Sequence, residues 1–591
     1  MRSIKTKQTN QSNTGGTGAS GGSFFSGVAL LSLSTVIVKV IGLAYKIPMI
    51  AYLGAEGMGY FNSAYEIYAI LCVISTAGLP VALSILISSN REMGERGATK
   101  GIWRAALTVF LTLGLVGSGL MLLFAKPLSV AIGNEDAYLS ILGIAPALLF
   151  VCLSSAVRGY FQGYSRMAPT AVSQLIEAVG KLIFGVLFAA IALKQGAALP
   201  SVAAFAILGL TLGTLLSAVY LLILKATKRG MPPVEGTGGG KGYVGVLLRI
   251  ALPITVSSAV LSVTRLADMA LILRRLQDTG VAVSEANRIY GSYTTLALPV
   301  FGLIPAIITP ISLALVPELS AAIGRGNGGE QTVLAERSVR LTVLLSMPAS
   351  MGVALYATQI LTLLFPAEPE AVAISAPLLA LLGASILLSG LITTTGSILQ
   401  SYRQVGKPIL SMAVGAAVKL TSAYVLIGHP AVGVSGAPIS TFLCNLTVTA
   451  LNFWFVRRCV PKQKGLWSVP RLFVKPAVVS VLAMASSVVV YLWIQRETQQ
   501  QTFAFLVAMG TAVIAYVLLA VLFRLMSAQE LEMLPLGRKI RAWMLRRQKA
   551  ERDTERKDCS ENKDSFDKKG RRNNERDGRG SDSISDRKET V

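Results

Sequence analysis

The stretch RGYFQGYSRMAPTAVSQLIEAVGKL, residues 158–182, returns 238 positions later as GSILQSYRQVGKPILSMAVGAAVKL, residues 396–420. The shared positions include Gln162/Gln400, Tyr164/Tyr402, Ser173/Ser411, Lys181/Lys419 and Leu182/Leu420. A weaker echo pairs Tyr60, Pro80 and Leu83 with Tyr290, Pro310 and Leu313. Both repeats lie among long apolar runs, and six such runs separate one copy from the next. Six is even, so both copies cross a membrane in the same direction. That predicts two lobes related by an axis along the membrane normal, with a cavity between them.

The apolar runs recur down the whole chain of 591 residues, which is 52% hydrophobic and only 15% charged. Soluble chains carry about a quarter charged residues. Runs of roughly 20 apolar residues mark membrane-spanning helices. A β-barrel would show ~10-residue alternating segments instead, so the fold class is an all-α polytopic membrane protein. Fourteen spans are expected, near 24–52, 59–88, 102–125, 137–162, 168–193, 199–225, 243–273, 287–317, 334–356, 371–399, 407–428, 432–456, 473–494 and 503–526.

The positive charges test that count. With the N-terminus inside, the even-numbered connections carry Arg91, Arg96, Lys100 and Arg104, then Arg166, then Lys225, Lys228, Arg229 and Lys241. Further along they carry Arg325 and Arg337, Arg403 and Lys407, and Arg457, Arg458, Lys462, Lys464 and Arg471. The odd-numbered ones hold only Lys126, Lys194, Arg274, Arg275 and Arg496. Positive charge collects on the cytoplasmic side, so fourteen spans with both termini in the cytoplasm are expected. The formal charge of +24 thus marks a membrane face and not a nucleic-acid partner.

Six regions follow. Residues 1–23 read as a disordered cytoplasmic arm; 24–227 as an N-lobe; 228–242 as a Gly/Pro linker; and 243–458 as a C-lobe. Residues 473–526 hold the last two helices, outside the repeat, and 538–591 a basic disordered tail. GGGKG within the linker lacks the spacing and the Ser/Thr of a phosphate-binding loop. Cys72, Cys152, Cys444, Cys459 and Cys559 show no metal spacing and read as small hydrophobes, four of them in or beside apolar runs. With His429 the single histidine, no catalytic residue, metal or cofactor is expected.

Ionisable residues inside spans cost ~2.5–3.5 kcal/mol each at a helix centre and so need a reason. The candidates are Lys39, Lys46, Glu66, Glu177, Lys181, Arg265, Asp268 and Lys419, five positive and three negative. Lys39 and Lys46, seven residues apart, rise by ~10.5 Å and return to nearly the same face. Snorkelling to the interface suits Lys46 but serves poorly for Lys39, which lies mid-span. Glu177 and Lys181, at i and i+4, are placed to neutralise each other, as are Arg265 and Asp268 at i and i+3. Lys419 has no local partner, because Gly415 stands where Glu177 does in the other repeat. A wet cavity with this balance suits concentrated negative charge such as a pyrophosphate.

The pattern KVIGLAYKIPMIAYLGAEGMGYF at 39–61, with RGYFQG at 158–163 and its echo, resembles the stage V sporulation protein B group of polysaccharide-biosynthesis proteins. That group belongs to the multidrug/oligosaccharidyl-lipid/polysaccharide exporter superfamily, beside the MurJ lipid II flippases. The resemblance implies a fourteen-helix flippase of a bacterial cytoplasmic membrane, with two six-helix lobes and a central cavity. It would carry an undecaprenyl-pyrophosphate-linked saccharide such as lipid II, and would be driven by a coupling ion (Na+ or H+) or the membrane potential. Lipid-linked oligosaccharide, membrane lipid and cell-wall synthesis proteins are the partners it implies. Lys39 matches a basic position of the MurJ branch, while Tyr45 stands where an arginine is common and Lys46 where an acid is common. Two other functions are weighed: a cation-coupled multidrug exporter, which would rely on Glu66 or Glu177, and a non-transporting scaffold for wall or spore assembly.

Overall fold

The computed structural model describes residues 18–92, 98–227, 241–461, 470–523 and 525. Within them the ordered elements are all helical. The linker core at 228–240 and the basic tail at 538–591 lie outside the described residues, as does Cys559. Cys152 is buried, and Cys72, Cys444 and Cys459 are half-buried.

The first half comprises α1 (Gly18–Thr76), α2 (Leu79–Glu92), α3 (Ala98–Leu123), α4 (Ala125–Ala131), α5 (Tyr138–Gly163), α6 (Ala168–Lys194) and α7 (Leu199–Ala226). The second comprises α8 (Lys241–Asp278), α9 (Val283–Ser292), α10 (Leu298–Gly324), α11 (Gly328–Leu355), α12 (Ala357–Leu364), α13 (Pro369–Ser401), α14 (Gly406–Ile427) and α15 (Gly436–Cys459). Two more helices follow, α16 (Lys475–Thr498) and α17 (Gln501–Leu522). A π-helical turn, Tyr293–Ala297, joins α9 to α10. Residues up to Ala512 form one compact unit, and a second begins at Val513, within α17.

Thirteen helical stretches among the described residues are long and apolar enough to cross a membrane. The first, Ser34–Asn90, has 57 residues and would measure about 85 Å if straight, far more than one bilayer needs. It turns instead at Gly54, where φ is 62° and ψ 179°, a conformation open essentially to glycine alone. That stretch therefore holds two spans, and the total agrees with fourteen. Helix α1 begins at Gly18, inside the segment expected to be an arm. The short helices α4 and α12 have no counterpart in the sequence reading. Each follows the third span of its half.

The repeat is visible to the residue. Helices α5 and α13 end at Gly163 and Ser401, and α6 and α14 begin at Ala168 and Gly406, all 238 apart. Between them Ser165 and Arg403 adopt left-handed conformations, with φ of 59° and 58°. Ser165 N donates to Gln162 O and Arg166 N to Phe161 O; Arg403 N donates to Gln400 O and Gln404 N to Leu399 O. These are two copies of one C-terminal helix cap, in which a left-handed residue lets orphan carbonyls find donors.

Helices α3, α5, α6 and α7 pack on one another and on α1, whereas α10, α11, α13, α14 and α15 form a second group. Gly180 meets Gly213 and Gly185 meets Gly209, so α6 and α7 touch backbone to backbone, as small residues allow in membranes. Helix α8 lies between the groups, against α14 on one side and α1 and α2 on the other, and α9 packs on α1. Tyr60 and Tyr290, paired in the weaker echo, are both buried.

Candidate functional site: a cationic cavity

A cavity of about 550 Å³ lies between α1, α5, α6, α7 and α8. Its charged lining consists of Lys39, Arg158, Glu177, Lys181 and Arg265, four cations against one carboxylate. Of the eight residues singled out in the sequence, Lys39, Glu177, Lys181 and Arg265 meet here, and Arg265 is brought in from the second half of the chain by α8. Lys39 and Arg265 are exposed. Arg265 Nη2 donates to Ser262 Oγ at 3.2 Å, within its own helix.

The local pairs expected from spacing do not form. Glu177 accepts from Arg158 Nη2 at 2.9 Å, not from Lys181. The same nitrogen also donates to Ser217 Oγ at 3.0 Å, and Arg158 Nε donates to Ser173 Oγ at 2.9 Å. One guanidinium thus ties α5 to α6 and α7. Lys181 turns to aromatic rings: its Nζ lies 4.9 Å from the centroid of Tyr45, 5.0 Å from Tyr65 and 6.0 Å from Phe61. Ring faces attract a cation through their quadrupole but leave its charge in place.

Asp268 likewise pairs with Lys419 and not with Arg265: Lys419 Nζ donates to Asp268 Oδ2 at 2.7 Å, across α14 and α8. Lys419 therefore has a partner that nothing in its own helix reveals. Lys46 neither lines the cavity nor snorkels, because its Nζ donates to the Thr294 carbonyl at 2.7 Å. Glu66 is half-buried, and the charges that act on it are Arg265, Lys46, Asp268 and Lys419. The eight residues thus divide into four that line the cavity and four that do not, Glu66 among the latter.

Arg158 was missed in the sequence. It opens the quoted repeat, and its counterpart is Gly396, so the first half carries a charge where the second has none. That asymmetry was the available signal.

The cavity is bracketed by contacts between the two halves. On the expected external side Gly59 lies against the backbone of Asn287 and Gly291 against the Ala55 carbonyl. Asn287 Nδ2 donates to Asn134 Oδ1 at 3.2 Å and Asn134 Nδ2 to Ser63 Oγ at 2.9 Å. Gln277 Nε2 donates to the Gly133 carbonyl at 2.7 Å. Toward the other side Gly78 of the α1–α2 bend meets the Ala251 carbonyl of α8. A second hollow, of about 780 Å³, mixes Glu135, Asp136 and Asp278 with Arg274 and Arg275. Its charges offset one another, so the cationic excess belongs to the first cavity.

The family profile described as "Polysaccharide biosynthesis protein" matches residues 24–322. Stage V sporulation protein B of Bacillus subtilis (strain 168) is 25% identical over 519 residues, covering 87% of this chain and 98% of that protein. The lipid II flippase MurJ of the same organism is 24% identical over 450 residues, covering 73% and 82%. Among solved structures, a lipid II flippase MurJ in an inward closed conformation superposes with a TM-score of 0.66 at 15% identity, covering 84% of this chain and 99% of that one. An inward-facing multidrug resistance MATE family transporter of the MOP superfamily gives 0.56 at 15% identity, covering 72% and 98%. These likenesses show the fold of a multi-pass membrane transporter.

Proposed function

The chain belongs to the polysaccharide biosynthesis protein family, and from that premise we propose that it is a flippase for a pyrophosphate-linked saccharide on an undecaprenyl carrier. The relatives named as a sporulation protein and a lipid II flippase support this reading, with lipid II as the leading cargo. The observation that carries it is the cavity lining of four cations and one carboxylate, with Lys39 exposed and Lys181 held over aromatic rings. Lysine acts toward phosphate as a point charge and arginine as a fork.

The N-lobe, 24–227, and the C-lobe, 243–458, rock about the cavity, exposing it to one leaflet and then the other. Both termini face the cytoplasm, and an ion gradient (Na+ or H+) or the membrane potential drives the cycle. The protein performs no covalent chemistry on the cargo. Cells that depend on this chain as their sole flippase test the proposal through a leaflet-resolved assay of lipid II. Lys39→Ala or Lys181→Ala should trap the precursor in the inner leaflet. Normal outer-leaflet exposure in both variants, with Glu66→Gln inactive, would favour a cation-coupled exporter instead.

A further inference from the structure

Glu177 and Lys181 stand one turn apart on α6, in the order in which a carboxylate and an ammonium pair most favourably on a helix. Yet they do not pair. Arg158, reaching across from α5, takes the carboxylate at 2.9 Å and is itself fixed by Ser173 and Ser217. Lys181 is left over the rings of Tyr45, Tyr65 and Phe61, facing the cavity. A cation already neutralised by its own helix would offer an anion little.

We propose that Arg158 is a positioning residue: it withholds Glu177 from Lys181 and so keeps Lys181 available to the pyrophosphate group of the cargo. This rests on the anionic-cargo reading above. Arg158 is better suited to the task than a lysine, because a guanidinium holds Ser173, Glu177 and Ser217 at once in a fixed plane. In its absence the i, i+4 pair forms and the cavity loses a cation besides Arg158 itself.

The test uses the full chain in detergent with undecaprenyl pyrophosphate as the binding probe. R158Q and K181Q should each weaken binding about tenfold, the loss of one hydrogen bond to a charged group. The double variant R158Q/K181Q should be no weaker than R158Q. Replacing the carboxylate as well, in R158Q/E177Q, should restore binding to within about threefold of wild type, and K181Q added to that background should again cost about tenfold. A simple count of cavity charge predicts otherwise: K181Q would cost the same in every background. A second readout needs no cargo. A carbodiimide joins a carboxylate to an amine in contact with it, with loss of water. The Glu177–Lys181 cross-link should be absent in wild type and appear in R158Q, read by peptide mass spectrometry. Additive losses, failure of E177Q to rescue, or no cross-link in R158Q would each overturn the proposal. If K181Q binds the probe like wild type, the anionic-cargo reading falls, and the cross-link still decides whether Arg158 holds the two apart.

Discussion

Lys46 Nζ donates to the Thr294 carbonyl at 2.7 Å, joining a side chain of the first span to a backbone group 248 residues away. Thr294 sits in the π-helical turn, where the widened backbone changes the usual carbonyl pairing and which recurs at functional sites. Asn62 Nδ2 adds bonds to the hydroxyls of Thr294 and Thr295, each at 2.9 Å. A charged side chain and an amide thus clasp one irregular turn across the contact between the two halves.

The clasp should set how readily that side opens. Losing a hydrogen bond from a charged group costs roughly 1.5–3 kcal/mol, enough to shift a two-state equilibrium by about tenfold or more. Spin labels at Tyr138 and Val283, both exposed, would report it after replacement of the native cysteines. Lys46→Met is expected to populate a longer distance that is minor in the parent. An unchanged distribution would show that the glycine contacts hold the side closed alone.

The Asp268–Lys419 pair should be structural. Its side chains are 11% and 14% exposed, and stranding one member of a buried pair costs roughly 3–5 kcal/mol, whereas replacing both by apolar groups is often neutral. Asp268→Asn and Lys419→Met should therefore each lower the thermal midpoint in detergent. The double replacement Asp268→Leu with Lys419→Met should recover most of the loss. Equal midpoints for all variants would refute the structural role.

Gly54 and Gly42 should respond oppositely to alanine. Both have open space where a Cβ would stand. Gly42 lies in regular helix, where alanine is favoured by up to about 1 kcal/mol. Gly54 has a φ of 62°, where a side chain costs about 1–3 kcal/mol in strain. Thermal unfolding should show Gly54→Ala destabilised and Gly42→Ala unchanged or stabilised. Equal behaviour would mean that the turn does not depend on Gly54.

Much of the fold was legible because it follows from local rules. Twenty-residue apolar runs locate spans whatever their neighbours do. The repeat located the α5–α6 and α13–α14 turns closely, since Ser165 and Arg403 sit in the same motif. Charge pairing was not legible. Spacing offered Glu177 to Lys181 and Asp268 to Arg265, but Arg158 and Lys419 approach from other helices, and only tertiary packing decides which partner arrives. Lys46 illustrates the same limit, because its acceptor is a carbonyl within a backbone irregularity that residue types do not announce. The short helices α4 and α12 were invisible for another reason: seven or eight residues are too few to cross a bilayer.

The proposed role of the first cavity's cations is to carry a pyrophosphate headgroup across the membrane. It is tested most directly in proteoliposomes, by timing the transfer of a fluorescent undecaprenyl-pyrophosphate disaccharide between leaflets. Wild-type protein should move it well above the protein-free rate, and Lys39→Ala with Lys181→Ala should slow it by about tenfold or more, the loss of charged hydrogen bonds. Equal rates for the wild type and the double variant, or a wild type no faster than bare lipid, would contradict the account.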